Sequence, residues 1–203
     1  MSPRVTIVSL ATAAMLSSAV GCSMGLPLEE RIAGLRPLAV KVEVDDPSAA
    51  DGDPVRAEAL PFERVRLFPF IVDVDGPLDQ GRVEAELQPR WIACNLAPIE
   101  GLGSCLVNAA PLEPGDVPAC PEVDLGAIDL TDLPTFPSPC EITGGTPFQP
   151  EFTVPFDPVY LFGGDIEVTM VAHLPDSGDT DRCYAQLLAG GTRADAACLF
   201  VTQ

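Results

Sequence analysis

The seven cysteines of this 203-residue chain constrain its fold more than any other feature of the sequence. Cys22 stands alone near the start, and six more follow much later: Cys94, Cys105, Cys120, Cys140, Cys183 and Cys198. None of them form a Cys-x-x-Cys pair, and the single histidine, His173, lies outside any ligand spacing, so we do not expect a zinc site. In an exported chain, six cysteines instead predict a disulfide framework.

The first 22 residues have the features of an export signal. Arg4 supplies a positive charge, and an uncharged, largely apolar run follows from Val5 to Val20. A secretory signal has this order, with small residues at the cleavage site, and the run is too short for a membrane span, which needs about 20 residues. The stretch Ala19-Val20-Gly21-Cys22 resembles the lipobox of bacterial lipoproteins. The alternative is an ordinary secretory signal, which would leave Cys22 as a plain thiol.

The lipobox resemblance implies a membrane anchor. Cleavage would expose Cys22, whose thiol would carry a diacylglycerol and whose amine would carry an acyl chain; two or more chains anchor a protein stably. Ser23 follows, and by resemblance to the enterobacterial sorting pattern it favours the outer membrane. We therefore predict a signal peptide over residues 1–21, a tether over 22–36 and one domain over 37–203. Because the tether is short, we expect the domain to lie near the membrane surface.

If Cys22 carries lipid, the other cysteines form an even set of six. Six cysteines allow fifteen connectivities. We predict nearest-neighbour pairing, because each pair would then close a short loop, and each bridge would stabilise the fold by about 2–4 kcal/mol. The predicted pairs are Cys94–Cys105, Cys120–Cys140 and Cys183–Cys198.

The charge balance limits the classes of partner. The formal net charge is −19, from 30 acidic and 11 basic residues. A surface of this kind repels nucleic acid and anionic lipid head groups. The longest uncharged run after the signal, Gly101–Leu112, contains an asparagine and a cysteine, so it does not predict a membrane span. We expect the lipid to be the membrane attachment, no nucleic-acid partner, and an envelope protein of unknown identity as the partner.

Most of the chain has the period of two that is typical of β-strands. In Leu38–Val44, three valines alternate with Lys41 and Glu43. Pro69 places the strand that contains it at an edge or a bulge. We expect its neighbours Phe68 and Phe70 to lie in the core, and we expect the same of Trp91. Other strands are predicted over Val55–Leu60, Glu63–Val74, Gln80–Gln88, Phe152–Phe156, Ile166–Leu174 and Ala196–Thr202.

The middle of the chain has a different composition. From Trp91 to Asp181 there is no Lys or Arg, and 11 prolines fall in the 48 residues from Pro111 to Pro158. Because proline cannot donate to a strand ladder, we predict an irregular, disulfide-stapled insertion over about residues 110–150. One short helix is predicted between Asp179-Thr180-Asp181 and Gly190-Gly191.

These patterns predict an all-β chain, an immunoglobulin-like β-sandwich with the Pro-rich insertion and the short helix. Arg36–Val42 soon after the lipobox, then a strand, an Asp-Gly turn and Trp91-x-x-Cys94 resemble the cysteine-containing envelope lipoproteins of Gram-negative bacteria. The resemblance covers about residues 1–94 and the final cysteine-bearing segment. It implies an immunoglobulin-like domain in the envelope and no assigned activity.

Acidic residues give the remaining candidate sites. Asp176, Asp179 and Asp181 lie on one loop and are weak calcium candidates, although the EF-hand spacing is absent and a helix N-terminus favours the same residues. The sequence around Ser104 lacks the Gly-x-Ser-x-Gly elbow of a hydrolase, and we interpret His173 as a surface residue. We do not predict catalytic residues or a cofactor apart from the covalent lipid.

The predicted function follows from the anchor and the disulfides. We expect a lipid-anchored cell-envelope protein that is a non-enzymatic structural or protein-binding module. One alternative is a calcium-dependent adhesion or surface domain. The other is a hydrolase that uses a pair of carboxylates, since separation in sequence does not report separation in space.

Overall fold

The fold consists mostly of β-strands in two antiparallel sheets. The structure is a computed structural model that describes residues 34–45, 58–96, 111–122, 137–156, 165–175, 178–190 and 197–203. Sheet A contains β1 (Arg36–Asp45), β2 (Arg64–Asp73), β3 (Gly76–Pro77), β6 (Gly144–Gly145) and β7 (Pro150–Thr153). Sheet B contains β4 (Arg90–Leu96), β5 (Cys140–Glu141), β8 (Asp165–His173) and β9 (Cys198–Thr202).

The strand order defines the topology. Sheet A has the order β1-β2-β7-β6, with β3 paired to β2, and sheet B has the order β5-β4-β8-β9. The chain passes from sheet B to sheet A between β5 and β6, where Ile142 donates its backbone N–H to the Trp91 carbonyl at 2.9 Å. At the other side, the edge strands β1 and β9 lie next to each other.

Three helical segments connect or cover the strands in the described part. Helix α1 (Gln80–Arg82) continues as a π-helical turn (Val83–Leu87), and Pro114–Asp116 forms a 3-10 turn. Helix α2 (Thr180–Leu188) is capped by Asp179, whose carboxylate accepts the Arg182 N–H at 2.6 Å. None of the helices in these residues is long and apolar enough to cross a membrane.

Alternation places one face of each sheet in a shared core. In sheet A the inward side chains of β1 and β2 are paired, for example Val44 with Val65. They belong to the same buried cluster as the sheet B residues Trp91 and Met170. The Trp91 indole N–H donates to the Pro147 carbonyl at 2.9 Å, so its polar atom is satisfied.

Sheet B is buried on its other face as well. Ile92, Cys94 and Val171 pack against α2 through Tyr184 and Leu188. This second layer explains why six consecutive residues of β8 are buried. A strand that is covered on both faces loses the alternation between polar and apolar residues.

Several predicted elements are confirmed. The strands predicted over Leu38–Val44, Glu63–Val74, Ile166–Leu174 and Ala196–Thr202 correspond to β1, β2, β8 and β9, and the predicted helix corresponds to α2. Pro69 lies where β2 is paired only with β1, because β7 pairs with β2 over Arg64–Arg66 alone. Among the described strands, no second one pairs with β2 at Pro69, so the missing proline N–H leaves no hydrogen bond unformed on the side of β2 away from β1.

Two predicted strands are wrong. Residues 80–87 of the strand predicted over 80–88 form α1 and the π-helical turn instead. The Asp79 carboxylate caps the Arg82 N–H at 2.9 Å, and the buried pair Val83 and Leu87 is spaced four residues apart. The second wrong strand is the one predicted over 55–60. Residues 58–60 are not in a strand, because the Leu60 N–H donates to the Glu63 carboxylate at 2.7 Å within a turn. Residues 55–57 lie outside the described residues.

The predicted irregular insertion is wrong from Cys140 onward, where β5, β6 and the start of β7 belong to the sheets. The prolines there separate short strands: Pro139 precedes β5, Pro147 lies between β6 and β7, and Pro150 opens β7. Residues 111–122 are irregular apart from the 3-10 turn and a bridge from Ala119 to Glu141. Residues 123–136 lie outside the described ranges.

Candidate functional site

The most densely connected polar site surrounds Arg90 at the start of β4. Its guanidinium donates to both carboxylate oxygens of Glu141, each at 2.7 Å, and to Asp181 Oδ1 at 2.8 Å. The same group lies 3.6 Å from the centroid of the Tyr184 ring. We call these four residues the Arg90 cluster.

Three separate elements bring the Arg90 cluster together. Glu141 is in β5, which pairs with β4 through Ile92 and Ala93. Asp181 lies in the first turn of α2, where an acidic side chain is favoured by the helix dipole. Because Glu141 follows Cys140 and Tyr184 follows Cys183, the cluster fastens two disulfide-bonded segments to one strand.

The electrostatics of the cluster are those of a structural clamp. The hydrogen bonds to Glu141 raise the pKa of Arg90 above its usual value. Burial raises the pKa of Tyr184 to about 12, and the Glu141 charge adds to the rise while Arg90 opposes it. The Tyr184 hydroxyl is buried without a hydrogen bond of acceptable geometry, so Glu141 acts on it chiefly through its charge. Two carboxylates neutralise Arg90, which leaves it poorly suited to bind an anionic ligand.

A second polar chain links His173 to the helical turn before β4. The Thr180 hydroxyl donates to the Leu87 carbonyl at 2.8 Å, and His173 Nδ1 lies 2.9 Å from the same hydroxyl oxygen. Since a hydroxyl has one proton, the imidazole must donate from Nδ1. His173 therefore cannot act as a base towards Thr180 in this arrangement. The interpretation of His173 as a plain surface residue is wrong, because it is half-buried and bonded.

The acidic loop before α2 does not gather its carboxylates at one point. Asp179 caps the helix, and Asp181 pairs with Arg90. Asp176 lies outside the described residues, within which we find no group of three side chains able to hold a metal ion. Both described candidates therefore already have protein partners.

A second ion cluster surrounds Arg82, the last residue of α1. Arg82 donates to Asp73 Oδ2 at 2.7 Å and to Glu86 Oε1 at 3.1 Å. The Arg82 hydrogen bond, together with backbone N–H donors, lowers the pKa of Asp73. The cluster ties the end of β2 to the helical turn. The Asp73 side chain is mostly buried there, whereas Arg82 and Glu86 are partly exposed.

The structure contains disulfides at two of the predicted positions. Cys120–Cys140 has a Cα–Cα distance of 4.9 Å, and Cys183–Cys198 has one of 5.5 Å. Cys94 is also disulfide-bonded. Cys105, its predicted partner, and Cys22, the predicted lipidation site, lie outside the described residues.

Two open cavities lie beside the sheets. The more polar one has a volume of about 640 Å³ and is lined by Arg64, Glu122, Thr143 and Glu151, with the Cys120 disulfide at its wall. The more apolar one, of about 660 Å³, opens between β2 and β8 and is lined by apolar residues with an acidic rim: Leu60, Val65, Leu67, Val154, Ile166 and Asp165. Acidic side chains line both cavities: Glu122 and Glu151 the first, where Glu151 pairs with Arg64 at 3.7 Å, and Glu58, Asp165 and Glu167 the second.

The aromatic predictions divide between the two faces of the sheets. Trp91 is in the core, as predicted. Phe70 is 48% exposed and Phe68 is half-buried on the outer face of sheet A, so the prediction that both lie in the core is wrong. Both lie an even number of residues from Arg64 and Arg66 in β2. Because alternate side chains of a strand lie on the same face, both phenylalanines are on the outer face with the two arginines.

Sequence reasoning missed the Arg90 cluster and Thr180. One signal was present: Arg90 is the last basic residue before the long acidic stretch from Trp91 to Asp181. It is therefore the nearest preceding cation in the sequence for every carboxylate in that stretch. No protein-family model, curated protein or solved structure matches the chain.

Proposed function

We propose that this chain is a lipid-anchored protein of the bacterial outer membrane, with a folded part that is a non-enzymatic structural or protein-binding module. The observation that carries the proposal is the pair of disulfides, Cys120–Cys140 and Cys183–Cys198. Disulfides persist in oxidising compartments such as the periplasm and the cell surface. The lipobox-like sequence that ends at Cys22 predicts the same compartment independently.

The role as a module is supported by how the polar side chains are used. Arg90, Glu141 and Asp181 bind one another and hold β5 and α2 against β4. Thr180 is bonded to a backbone carbonyl, and His173 donates to it. These groups maintain the architecture, and such an architecture suits a rigid domain that presents a surface.

We further propose that the two sheets form an immunoglobulin-like sandwich. When the two-residue strand β3 is left out and the others are lettered A, B, C, C′, D, E, F and G in chain order, sheet A has the A-B-E-D order of that fold and sheet B has the order C′-C-F-G. Trp91 lies buried on the strand that corresponds to C. The chain differs from the immunoglobulin fold of antibodies in these two disulfides, because neither Cys120–Cys140 nor Cys183–Cys198 joins the two central strands, β2 and β8.

The anchor is tested by labelling cells with a radioactive fatty acid and separating their membranes. We expect the wild-type protein to carry label and to sediment with the outer membrane. Cys22→Ala should lose both properties, whereas Ser23→Ala should keep both and controls for a change beside the cleavage site. Label that persists in Cys22→Ala would refute the lipidation.

The role as a module is tested by a cross-linked pull-down from envelopes that contain the lipidated protein. We expect a specific envelope protein to be recovered at stoichiometric yield. A variant with the outer face of sheet A altered, Phe68→Ala, and a variant altered in the apolar cavity rim, Asp165→Ala, then locate the contact. If hydrolysis of a cell-wall substrate were found that Glu141→Gln abolishes without unfolding, the non-enzymatic proposal would be wrong.

A further inference from the structure

Large exposed apolar side chains are concentrated at one end of sheet A. Among the described residues, Leu38 is 52%, Phe70 48% and Val74 65% exposed, and Leu60 is the remaining large exposed one at 60%. Contiguous exposed apolar residues mark interaction sites, whereas single ones are ordinary. We call Leu38, Phe70 and Val74 the tether-end patch.

The strand register places the three residues of the patch close together. Phe70 is paired with Ala39, and Leu38 lies at the bulge beside that pair. Arg36 is paired with Val72, so the turn that contains Val74 lies at the end of the sheet where β1 begins. Leu60 precedes the other end of β2, about 20 Å from Phe70 along a strand that rises about 3.3 Å per residue.

The patch lies at the end of sheet A where β1, the first described strand, begins. Thirteen residues separate Cys22 from Arg36 in the sequence. Even a fully extended chain of that length spans at most about 45 Å, and a domain of this size is about 40 Å across. An anchored Cys22 therefore holds the start of β1 within about one domain diameter of the bilayer, at a high effective concentration of lipid.

The charge of this face suits a membrane better than the rest of the molecule does. On the outer face of sheet A, three basic residues offset three acidic ones: Lys41 with Glu43, Arg66 with Asp45 and Arg64 with Glu151. The whole chain has a net charge of −19. Val74 itself is flanked by Asp73, which pairs with Arg82, and by the exposed Asp75, so the face is close to neutral apart from this turn. A nearly neutral face is repelled least by anionic head groups, so it is the face expected to turn towards them.

The small size of the patch favours lipid over a second protein. Three half-exposed side chains offer roughly 300 Å² of apolar surface. A stable protein interface needs about 800 Å² from each partner. A lipid surface that is already tethered needs no such area, because the anchor supplies most of the binding.

We propose that the tether-end patch, Leu38, Phe70 and Val74, rests on the lipid bilayer that holds Cys22 and orients the domain with the outer face of sheet A towards the membrane. This inference depends on the proposed lipid anchor. Phe70 and Leu38 contact the boundary between head groups and acyl chains, where apolar side chains replace water with lipid.

The test uses tryptophan fluorescence of the full lipidated chain in vesicles of phosphatidylethanolamine and phosphatidylglycerol with brominated acyl chains. The native Trp91 is buried, so the wild type gives the baseline. Phe70→Trp should be quenched by about half relative to unbrominated vesicles, since the patch lies at the acyl boundary. Leu60→Trp is the matched control and should not be quenched beyond the baseline. Leu38→Trp replaces Phe70→Trp if that variant loses its thermal transition.

Each other outcome contradicts a defined part of the inference. If the protein floats with the vesicles but the Phe70→Trp and Leu60→Trp variants are quenched equally, or neither is quenched, the patch does not contact lipid. If emission of the Phe70→Trp variant shifts with protein concentration before vesicles are added, a second copy covers the patch and the lipid assignment is wrong. If the protein does not float, the lipid anchor itself is refuted, and the inference with it.

Discussion

Arg90 and Glu141 form a two-point ion pair across 51 residues of sequence, with both N–O distances at 2.7 Å. The geometry matches the planar guanidinium to the planar carboxylate, which is the strongest form of charge-assisted hydrogen bond. Arg90 then donates to Asp181, 91 residues away, from its third nitrogen, Nη1. One side chain therefore joins the start of β4 to β5 and to α2.

Replacement of Arg90 by alanine should lower the free energy of unfolding by about 3 kcal/mol, because Glu141 would be left partly buried without its partner. Arg90→Lys should recover only part of the loss, since an ammonium cannot form the two-point pair. The measurement is chemical denaturation of the disulfide-intact protein. Arg64→Ala is the control: its side chain is 61% exposed with a 3.7 Å pair, so it should cost less than about 1 kcal/mol. Equal losses of unfolding free energy in the Arg90→Ala and Arg64→Ala variants would show that Arg90 stabilises the fold no more than an exposed ion pair does.

Much of the fold could be predicted where local patterns have one interpretation. In β1, valines alternate with charged residues, and only a strand with one buried face satisfies that order. At α2, Asp179 supplies the cap and its position marks the first helical residue. In these segments the local preference and the tertiary packing agree.

The segment from Val83 to Leu87 could not be assigned in the same way. Positions four apart lie on one face of a helix, and they also lie on one face of a strand, because four is a multiple of two. Ala85 was the residue that could distinguish them: it is exposed, as the helix requires. Its small side chain carried little information.

The Arg90 cluster could not be predicted because its partners are distant in sequence. The distance between Arg90 and Glu141 depends on the pairing of β4 with β5, which only the folded sheet determines. The outward placement of Phe70 was predictable in principle, since it shares its parity with Arg64 and Arg66. The alternation is not visible in the sequence because the six residues from Leu67 to Val72 are all apolar.

Tyr184 predicts a loss of stability in alkali. The unfolded phenol loses its proton near the usual pKa of 10.0, whereas burial raises the folded pKa to about 12. Between these values the folded state binds more protons than the unfolded state, so stability falls as pH rises through this window. In Tyr184→Phe this part of the fall should vanish, as measured by denaturation at a series of pH values. Tyr160→Phe, the other tyrosine, is the control, and the same change in both variants would argue against Tyr184 as the source.

The bond from Thr180 to the Leu87 carbonyl should make Thr180→Val destabilising by about 1–3 kcal/mol, because a buried acceptor loses its donor. The same change should release His173, and nitrogen NMR of the imidazole reports it: the neutral ring carries its proton on Nδ1 in the wild type and should shift towards the Nε2 form in the variant. Thr153→Val, on the outer face of sheet A, should leave the imidazole unchanged. A wild-type imidazole already in the Nε2 form would show that the assigned hydrogen-bond direction is wrong.

Gly145 should not tolerate a side chain. It has a φ of +76°, and a Cβ there would lie 2.3 Å from the Gln149 carbonyl oxygen and 2.9 Å from the Glu151 nitrogen. Both are backbone atoms of the tight connection between β6 and β7, so they cannot move without breaking the pairing of Gly145 with Pro150. We expect Gly145→Ala to lower the free energy of unfolding by about 1–3 kcal/mol, from strain in the left-handed region and from overlap. Gly115→Ala is the matched control, because a Cβ there meets no atom within 4 Å. Thermal denaturation of the two variants should separate them by several degrees, and equal midpoints would show that the connection relaxes around the added methyl group.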